Sequence, residues 1–284
     1  MIIFTKITDL QRYLREQKQK GAIIGFVPTM GALHEGHISL INYSKKENGI
    51  TIVSIFVNPA QFNDAKDFEK YPITIEKDIY ELEQQACDVL FLPSTKEIYP
   101  SGENEDEHFD LGFLDTVLEG KFRSGHFQGV CKVMKRLLTI IAANNLYMGQ
   151  KDYQQCMVVK RLIESANFNI HFHICPTLRE KEGLAMSSRN LRLSIEEKNK
   201  ALAIYQCLNL FKKEYKNKSF NELKATAKQL LITSGFTKID YIEIANADNL
   251  TLMGEWDGAS PLVALIAAFM GGVRLIDNMI LTNE

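Results

Sequence analysis

The sequence predicts an α/β fold in which a doubly wound parallel sheet forms the N-terminal domain and a smaller α+β domain follows. Up to about residue 175, short apolar runs alternate with amphipathic stretches, as in parallel sheets that helices cover on both faces. From Ser194 onward, two charged helical stretches precede three apolar runs that no helical stretch separates, which indicates an α+β unit. We therefore predict two domains, residues 1–177 and residues 178–284.

The predicted strands of the first domain are continuous apolar runs, because both faces of such a sheet are buried. They are Ile23–Val27, Ile50–Val57, Val89–Leu92, Asn145–Met148 and Ile170–Cys175. Helical spacing of apolar residues predicts helices near residues 8–19, 37–47, 74–86, 128–143 and 153–166. In the second domain, Ser194 followed by two glutamates predicts a capped helix start. The elements predicted there are helices near 195–216 and 219–234 and strands Ile239–Ala245, Leu262–Phe269 and Val273–Leu281.

The composition argues against several classes of protein. The 284 residues are 45% hydrophobic and 24% charged, with a net charge of −2, so we expect no nucleic-acid partner. The most apolar stretch, Leu262–Val273, is too short to span a bilayer, so we expect no membrane partner. Five scattered cysteines without a Cys-x-x-Cys pair favour buried thiols in a reducing cytoplasm.

The segment Phe26–His37 is the most informative part of the chain. A buried strand ends near Pro28, a glycine turn follows, and His34 and His37 lie at the start of the next helix. A helix start offers unpaired N–H groups and the positive end of the helix dipole, which suit a phosphate group. The segment therefore predicts a nucleotide site. Two alternatives are a zinc site, whose usual histidine spacing differs, and a purely structural helix start.

Polar side chains follow the second predicted strand and begin the helix near residue 128. Asn58 and Gln61 are amides that can hydrogen-bond hydroxyls and a carboxylate, although Asn-Pro is also a common turn signal. The glycine-rich stretch 120–129 contains Arg123 and His126, and a cationic loop at a helix start favours an anionic ligand. A surface loop is the alternative for this stretch.

Two further loops carry phosphate-type donors. Lys151 follows the fourth strand and can act as a point charge on phosphate, with Gln155 one helical turn later. Met186–Arg189 offers two hydroxyls and a guanidinium, which suit an oxyanion or a phosphoryl group in transfer. The alternatives are a helix cap at Asp152 beside a solvated lysine, and a polar linker between domains.

Five segments in chain order resemble the motifs of the pantoate–β-alanine ligases, a family of the nucleotidylyltransferase superfamily. They are Pro28–His37, Phe56–Phe62, Arg123–Val130, Gly149–Gln155 and Gly183–Asn190. The resemblance implies a Rossmann-like domain that binds nucleotide and pantoate, a C-terminal lid domain, and a homodimer. It also implies the reaction of pantothenate biosynthesis: pantoate and ATP form pantoyl adenylate and pyrophosphate, and β-alanine then displaces AMP.

The resemblance further implies roles for individual residues. The implied catalytic residues are His34, His37, Lys151 and Arg189, with His37 as the proton donor. The implied ATP-binding residues are Met30, Gly31, Ala32, Leu33, His34, Glu35, Gly36, His37, Gly149, Gln150, Lys151, Asp152, Leu178, Met186, Ser187, Ser188 and Arg189. The implied substrate-binding residues are Asn58, Gln61, Arg123 and Gln155. Asp78 is the implied Mg²⁺ residue, although its neighbour Lys77 is not a carboxylate.

The chain departs from the family pattern at four positions, none of them an implied ligand: Asn63, Ile73, Ser124 and Glu182. Three other functions stay open. An adenylyltransferase with a phosphorylated acceptor would lack the pair Gln61 and Gln155, and a tRNA-charging enzyme would need a basic face. A non-enzymatic nucleotide-binding module is the third, and the set of histidines and cations argues against it.

Overall fold

The computed structural model describes residues 1–62, 68–69, 71–102 and 107–282. The chain folds into two compact units: Met1–Gly149 with Gln155–Pro176, and Gln150–Gln154 with Thr177–Glu284. The boundary predicted after residue 177 leaves Gln150–Gln154 in the first domain. In the structure this short segment, which carries Lys151, groups with the second unit.

The described part of the first unit contains a six-stranded parallel sheet of order β1-β4-β3-β2-β5-β6. The strands are β1 (Ile2–Phe4), β2 (Ile24–Thr29), β3 (Ile50–Ile55), β4 (Val89–Phe91), β5 (Asn145–Gly149) and β6 (His171–Cys175). The predicted fold class is confirmed. The sequence does not predict strand β1, because it has only three residues and two of them are exposed at the sheet edge. The strand order reverses between β2 and β5, which is where ligands bind in open α/β sheets.

Helices connect these strands. They are α1 (Ile7–Gln19), α2 (Glu35–Glu47), α3 (Ile75–Gln84), α4 (Thr95–Ile98), α5 (Leu118–Phe122), α6 (His126–Ile141) and α7 (Tyr153–Ser165). Short 3₁₀ turns lie at Pro59–Gln61, Gly112–Asp115, Gln150–Asp152 and Ser188–Arg192. Helix α6 begins two residues before the predicted start because Gly125, in the left-handed region at φ 79°, turns the chain into it.

The second unit has a three-stranded antiparallel sheet in its described part, of order β7-β8-β9. The elements are α8 (Ile195–Glu214), α9 (Phe220–Thr233), β7 (Lys238–Asn246), β8 (Leu262–Met270) and β9 (Val273–Ile280). Both helices start with a capping box, in which a serine hydroxyl and a glutamate exchange hydrogen bonds with backbone N–H groups. The apolar faces of α8 and α9 share one core with the sheet, including Phe211, Phe220 and Ile266. No helix in the described part of the chain has the length and apolar character needed to cross a membrane.

All five cysteines are free and buried. Burial raises the pKa of Cys87 and of Cys175 to about 11, and that of Cys131 and of Cys207 to about 12. The thiolate is the reactive form of a cysteine, so these groups are almost entirely unreactive at pH 8.

We expect the native protein to react with a disulfide reagent such as Ellman's reagent far more slowly than the protein in guanidinium chloride. Absorbance after mixing at pH 8 measures both rates. Rapid reaction of two or more thiols in the native protein would contradict the burial that the structure shows.

Candidate active site

The two histidines after β2 cap helix α2. His34 is the N-cap residue, and its Nδ1 accepts a hydrogen bond from the Gly36 N–H at 3.1 Å. The Nδ1 of His37 accepts from the His34 N–H at 3.3 Å, and the two ring centroids are 4.1 Å apart. A neutral imidazole whose Nδ1 is an acceptor carries its proton on Nε2. The geometry of the helix start therefore assigns both rings the tautomer with an Nε2–H donor.

The glycine turn before these histidines is built around a buried carboxylate. Gly31 and Ala32 both lie in the left-handed region, with φ values of 82° and 50°. The N–H groups of Ala32 and Leu33 donate to the two oxygens of Asp78 at 2.9 and 2.8 Å. The sequence predicts that unpaired N–H groups of this segment bind a phosphate group. That expectation does not hold for these two N–H groups, because Asp78 already occupies them.

Asp78 does not fit the magnesium role that the resemblance implied. The residue is only 1% exposed, and each carboxylate oxygen is also within 3.2 Å of the Thr74 hydroxyl. No group of three or more His, Cys, Asp or Glu side chains forms a metal site within the described ranges. Asp78 instead fixes the turn that leads to His34, and we derive no reaction step through a metal at this residue.

The amides after β3 lie in a buried hydrogen-bond network. Asn58 is 1% exposed; its Nδ2 donates to Gln61 Oε1 and to the Gly129 carbonyl, each at 3.1 Å, and its Oδ1 accepts from the Tyr99 hydroxyl at 2.9 Å. Gln61 Nε2 donates to the sulfur of Met30 at 2.8 Å. Asn58 therefore orients Gln61 in this structure, whereas the sequence pattern predicts both amides alike as substrate ligands.

The stretch around Arg123 holds the backbone of the same residue, because His126 contacts the main-chain carbonyl of Gln61. The His126 Nδ1 lies 2.7 Å from the Gln61 carbonyl oxygen, and its Nε2 lies 3.0 Å from Arg123 Nη1. Arginine only donates hydrogen bonds, so Nε2 accepts and the Nδ1–H donates to Gln61. Arg123 also pairs with Glu119 at 3.6 Å. Arg123 therefore contacts His126, which in turn holds the backbone carbonyl of Gln61. The substrate-binding role expected for Arg123 stays a prediction.

The packing of helix α6 against the turn Pro59–Gln61 explains why residue 129 is a glycine. A Cβ at Gly129 would overlap the Ala60 carbonyl oxygen and crowd the Cα of Gln61. Helix α6 can therefore approach the turn Pro59–Gln61 closely only because residue 129 has no side chain.

In the second unit, the structure brings together residues that are far apart in sequence. Lys151, Ser187 and Arg189 line one cavity, together with Arg274 and Asp277. Further lining residues include Leu184, Ala185, Asn190 and Tyr205. The Lys151 ammonium lies 3.4 Å from an oxygen of Asp152, and the Ser187 hydroxyl accepts from the Arg189 N–H at 3.3 Å. Two separate sequence motifs thus supply positively charged and hydroxyl donors to the same place.

A small hairpin leads into this cavity. The Met186 N–H donates to the Leu178 carbonyl at 3.0 Å, and Arg179 forms a bridge with Ala185. Two of the implied ATP-binding segments are therefore neighbours in the fold. Two more of the predicted residues belong to the first unit: Gly149 ends β5, and Gln155 is half-buried in the first turn of α7.

Sequence reasoning missed three residues beside the cavity. Asp277 and Asn278 in β9 are 5% and 2% exposed, and Arg179 binds Asp277 through two hydrogen bonds of 2.6 and 3.0 Å. Burial raises the pKa of Asp277, and the Arg179 guanidinium opposes that shift. The signal was present: two adjacent polar residues interrupt an apolar strand, and buried polar groups need partners.

Of the four departures from the family pattern, Ile73 is largely exposed, and Asn63 lies outside the described residues. Ser124 and Glu182 are also exposed. Ile73 nevertheless lines a cavity together with Met30, Gly31 and Asp78.

A parallel α/β sheet with phosphate-type donors in the turns after its strands is typical of enzymes that act on a nucleotide. The chain belongs to the pantoate-beta-alanine ligase family, whose model matches residues 2–280. It is therefore a ligase. A pantothenate synthetase from Cytophaga hutchinsonii is 44% identical over 283 residues, which are 99% of each chain.

Solved structures agree with this assignment. A pantothenate synthetase from Thermus thermophilus superposes with a TM-score of 0.92 at 33% identity, covering 100% of both chains. A pantoate-beta-alanine ligase from Francisella tularensis, solved in complex with β-γ ATP and β-alanine, has a TM-score of 0.82 at 40% identity. That match covers 99% of this chain and 97% of the other.

We expect Gly129→Ala to destabilise the protein and to weaken pantoate binding. Alanine in a helix is normally more stable than glycine by up to about 1 kcal/mol, but here the added methyl group must displace the turn that carries Gln61. Overpacking of this kind costs roughly 1–3 kcal/mol. Urea unfolding measures the first effect, and calorimetric titration with pantoate measures the second.

Asn199→Ala is the matched control, because Asn199 is an exposed residue inside helix α8. It should keep or slightly raise stability and leave pantoate binding unchanged. A stabilised Gly129→Ala variant with normal pantoate affinity would contradict the close approach of α6 to the turn.

Proposed function

We propose that this chain condenses (R)-pantoate with β-alanine at the expense of ATP, forming pantothenate, AMP and pyrophosphate through pantoyl adenylate. The observation that carries the proposal is the histidine-capped helix start after β2, in a chain that matches the ligase family over residues 2–280. The Francisella tularensis relative with bound β-γ ATP and β-alanine supports the choice of substrates.

In the first step, a carboxylate oxygen of pantoate forms a bond to the α-phosphorus of ATP. The bond from that phosphorus to the bridging oxygen breaks, and pyrophosphate leaves with the electron pair. The Nε2–H donors of His34 and His37 are suited to the phosphate oxygens, with His37 as the donor to the leaving group. Lys151 and Arg189 supply fixed positive charge to the phosphates, which is the main protein contribution in phosphoryl transfer.

In the second step, the amine of β-alanine attacks the acyl carbon of pantoyl adenylate. The bond between that carbon and the adenylate oxygen breaks, AMP leaves, and the amine loses a proton. The paired amides Gln61 and Gln155 are suited to the hydroxyls and carboxylate of pantoate, and Gln61 also to β-alanine. Neither step needs a covalent enzyme nucleophile, so catalysis consists of positioning and charge stabilisation.

The remaining assignments belong to the same proposal. We infer ATP contacts for Met30–His37 and Gly149–Asp152, and likewise for Leu178 and Met186–Arg189. We also propose a homodimer, on the resemblance to the family, and a cytoplasmic enzyme, on the five free and buried thiols. Magnesium accompanies ATP in many such reactions, but Asp78 is assigned to the turn and not to a metal.

We expect AMP release to require both pantoate and β-alanine, whereas exchange of labelled pyrophosphate into ATP should require only pantoate. The reason is that the acyl adenylate forms before the amine is used. A coupled AMP assay and an isotope-exchange assay on the purified protein measure the two reactions. Exchange without pantoate would contradict the proposal. AMP formation that depends on tRNA would also contradict it, and would favour a tRNA-charging enzyme instead.

His37→Ala and Lys151→Ala should each lower the rate of adenylate formation by about a hundredfold or more, as the loss of a charge donor in the transition state typically does. Single-turnover pyrophosphate release measures this rate. The matched controls are His108→Ala and Lys228→Ala, whose side chains are exposed and should leave the rate unchanged. A near-normal rate in either soluble test variant would remove that residue from the mechanism.

A further inference from the structure

The turn that carries Lys151 is held by a side chain far away in sequence. The Asn278 Nδ2 in β9 donates to the carbonyl oxygens of Gln150 and Lys151 at 2.9 and 2.8 Å. In return, Gln150 Nε2 donates to Asn278 Oδ1 at 3.1 Å. One buried amide thus makes three hydrogen bonds to a 3₁₀ turn of only three residues.

Such a turn needs outside support. A single 3₁₀ turn has poor hydrogen-bond geometry and little stability of its own. The backbone direction at Lys151 sets the point and the direction from which its flexible side chain starts, and so limits the region that the ammonium group can reach. Asn278 fixes this direction through the carbonyl of Lys151 itself.

The neighbouring residue in β9 anchors the other side of the cavity. Asp277 binds the Arg179 guanidinium, which also donates to the carbonyls of Gly183 and Asn278 at 3.1 and 3.3 Å. The guanidinium stacks on the ring of Tyr205 at 4.5 Å from the centroid. The hairpin that leads to Ser187 and Arg189 is therefore tied to the same strand as the Lys151 turn.

We propose that Asn278 is a positioning residue for Lys151 in adenylate formation. Two adjacent residues of β9, Asp277 and Asn278, hold the two loops that carry Arg189 and Lys151. Asn278 holds the loop with Lys151. Asn278 is 2% exposed, and it acts on Lys151 through its hydrogen bonds to Gln150 and to the Lys151 carbonyl. This inference rests on the proposed function, since Lys151 is taken to stabilise charge on the phosphates.

Asn278→Asp tests the inference with little change of shape. Aspartate keeps the oxygen that accepts from Gln150 but loses the N–H donors to both carbonyls. We expect the rate of pyrophosphate release in a single turnover to fall by about tenfold or more, since a shift of the reacting groups by an ångström has effects of this size. The KM for pantoate should change less than about twofold, because pantoate is assigned to residues outside the Lys151 turn.

A double-mutant cycle distinguishes positioning from simple structural support. In a Lys151→Ala background there is no ammonium left to position, so Asn278→Asp should lower the remaining rate by less than about twofold. Asn217→Asp, at an exposed turn residue, is the matched control and should leave both backgrounds unchanged. An equal loss in both backgrounds, or a normal rate in Asn278→Asp alone, overturns the proposal.

Two further measurements keep the result clear. If Asn278→Asp does not fold, the same cycle with Asn278→Ala removes the donors without adding a charge, and thermal unfolding shows that the assayed protein is native. If the wild-type protein shows no pantoate-dependent exchange, the proposed function fails by itself. Calorimetric titration with ATP then tests the inference separately. Asn278→Asp should weaken ATP binding when residue 151 is lysine, and it should not do so in the Lys151→Ala variant. Equal weakening of ATP binding in both proteins overturns the inference.

Discussion

The hydrogen bonds between Asp78 and the turn after β2 are the constraint on which the first unit's site depends. Two successive residues, Gly31 and Ala32, adopt left-handed backbone angles, and for alanine this conformation costs about 1 kcal/mol or more. The carboxylate offsets that cost, because hydrogen bonds to a charged group contribute about 1.5–3 kcal/mol. Only with this turn in place does the chain enter α2 at His34.

The same solution recurs at two further turns of the candidate site. His126 holds the carbonyl of Gln61 from 65 residues away, and Asn278 holds the carbonyl of Lys151 from 127 residues away. In each case one buried polar side chain satisfies backbone groups of a short turn. A buried polar group that loses its hydrogen-bond partner costs about 1–3 kcal/mol. These side chains therefore stabilise turns that are too short to be stable by themselves.

These long-range contacts also explain what the sequence could and could not predict. The predicted bounds of strands β2 to β6 agree with the structure within two residues because burial leaves an apolar run in the sequence, whereas β1 is too short to leave one. The sequence shows which types of residue stand at the candidate site, but it does not show which groups they contact in the fold. The sequence pattern predicts a ligand role for Arg123 because a cationic, glycine-rich loop at a helix start favours an anion, whereas the magnesium role of Asp78 is implied only by the resemblance to the family. In the structure Arg123 contacts its sequence neighbours Glu119 and His126. Asp78 accepts from the N–H groups of Ala32 and Leu33, 46 and 45 residues away, and that contact is one that no local pattern encodes.

Three histidines of the first unit show how far the surroundings of a residue decide its chemistry. His34 and His37 accept backbone hydrogen bonds at Nδ1 and carry the proton at Nε2, whereas Arg123 makes His126 an acceptor at Nε2 and a donor at Nδ1. In this tautomer the first two rings present an N–H donor at Nε2 before any substrate arrives. Donors fixed in advance avoid the reorganisation that water would require when charge develops on a phosphate. The helix cap, which the sequence predicts as a nucleotide site, therefore fixes the tautomer on which the proposed role of these two side chains rests.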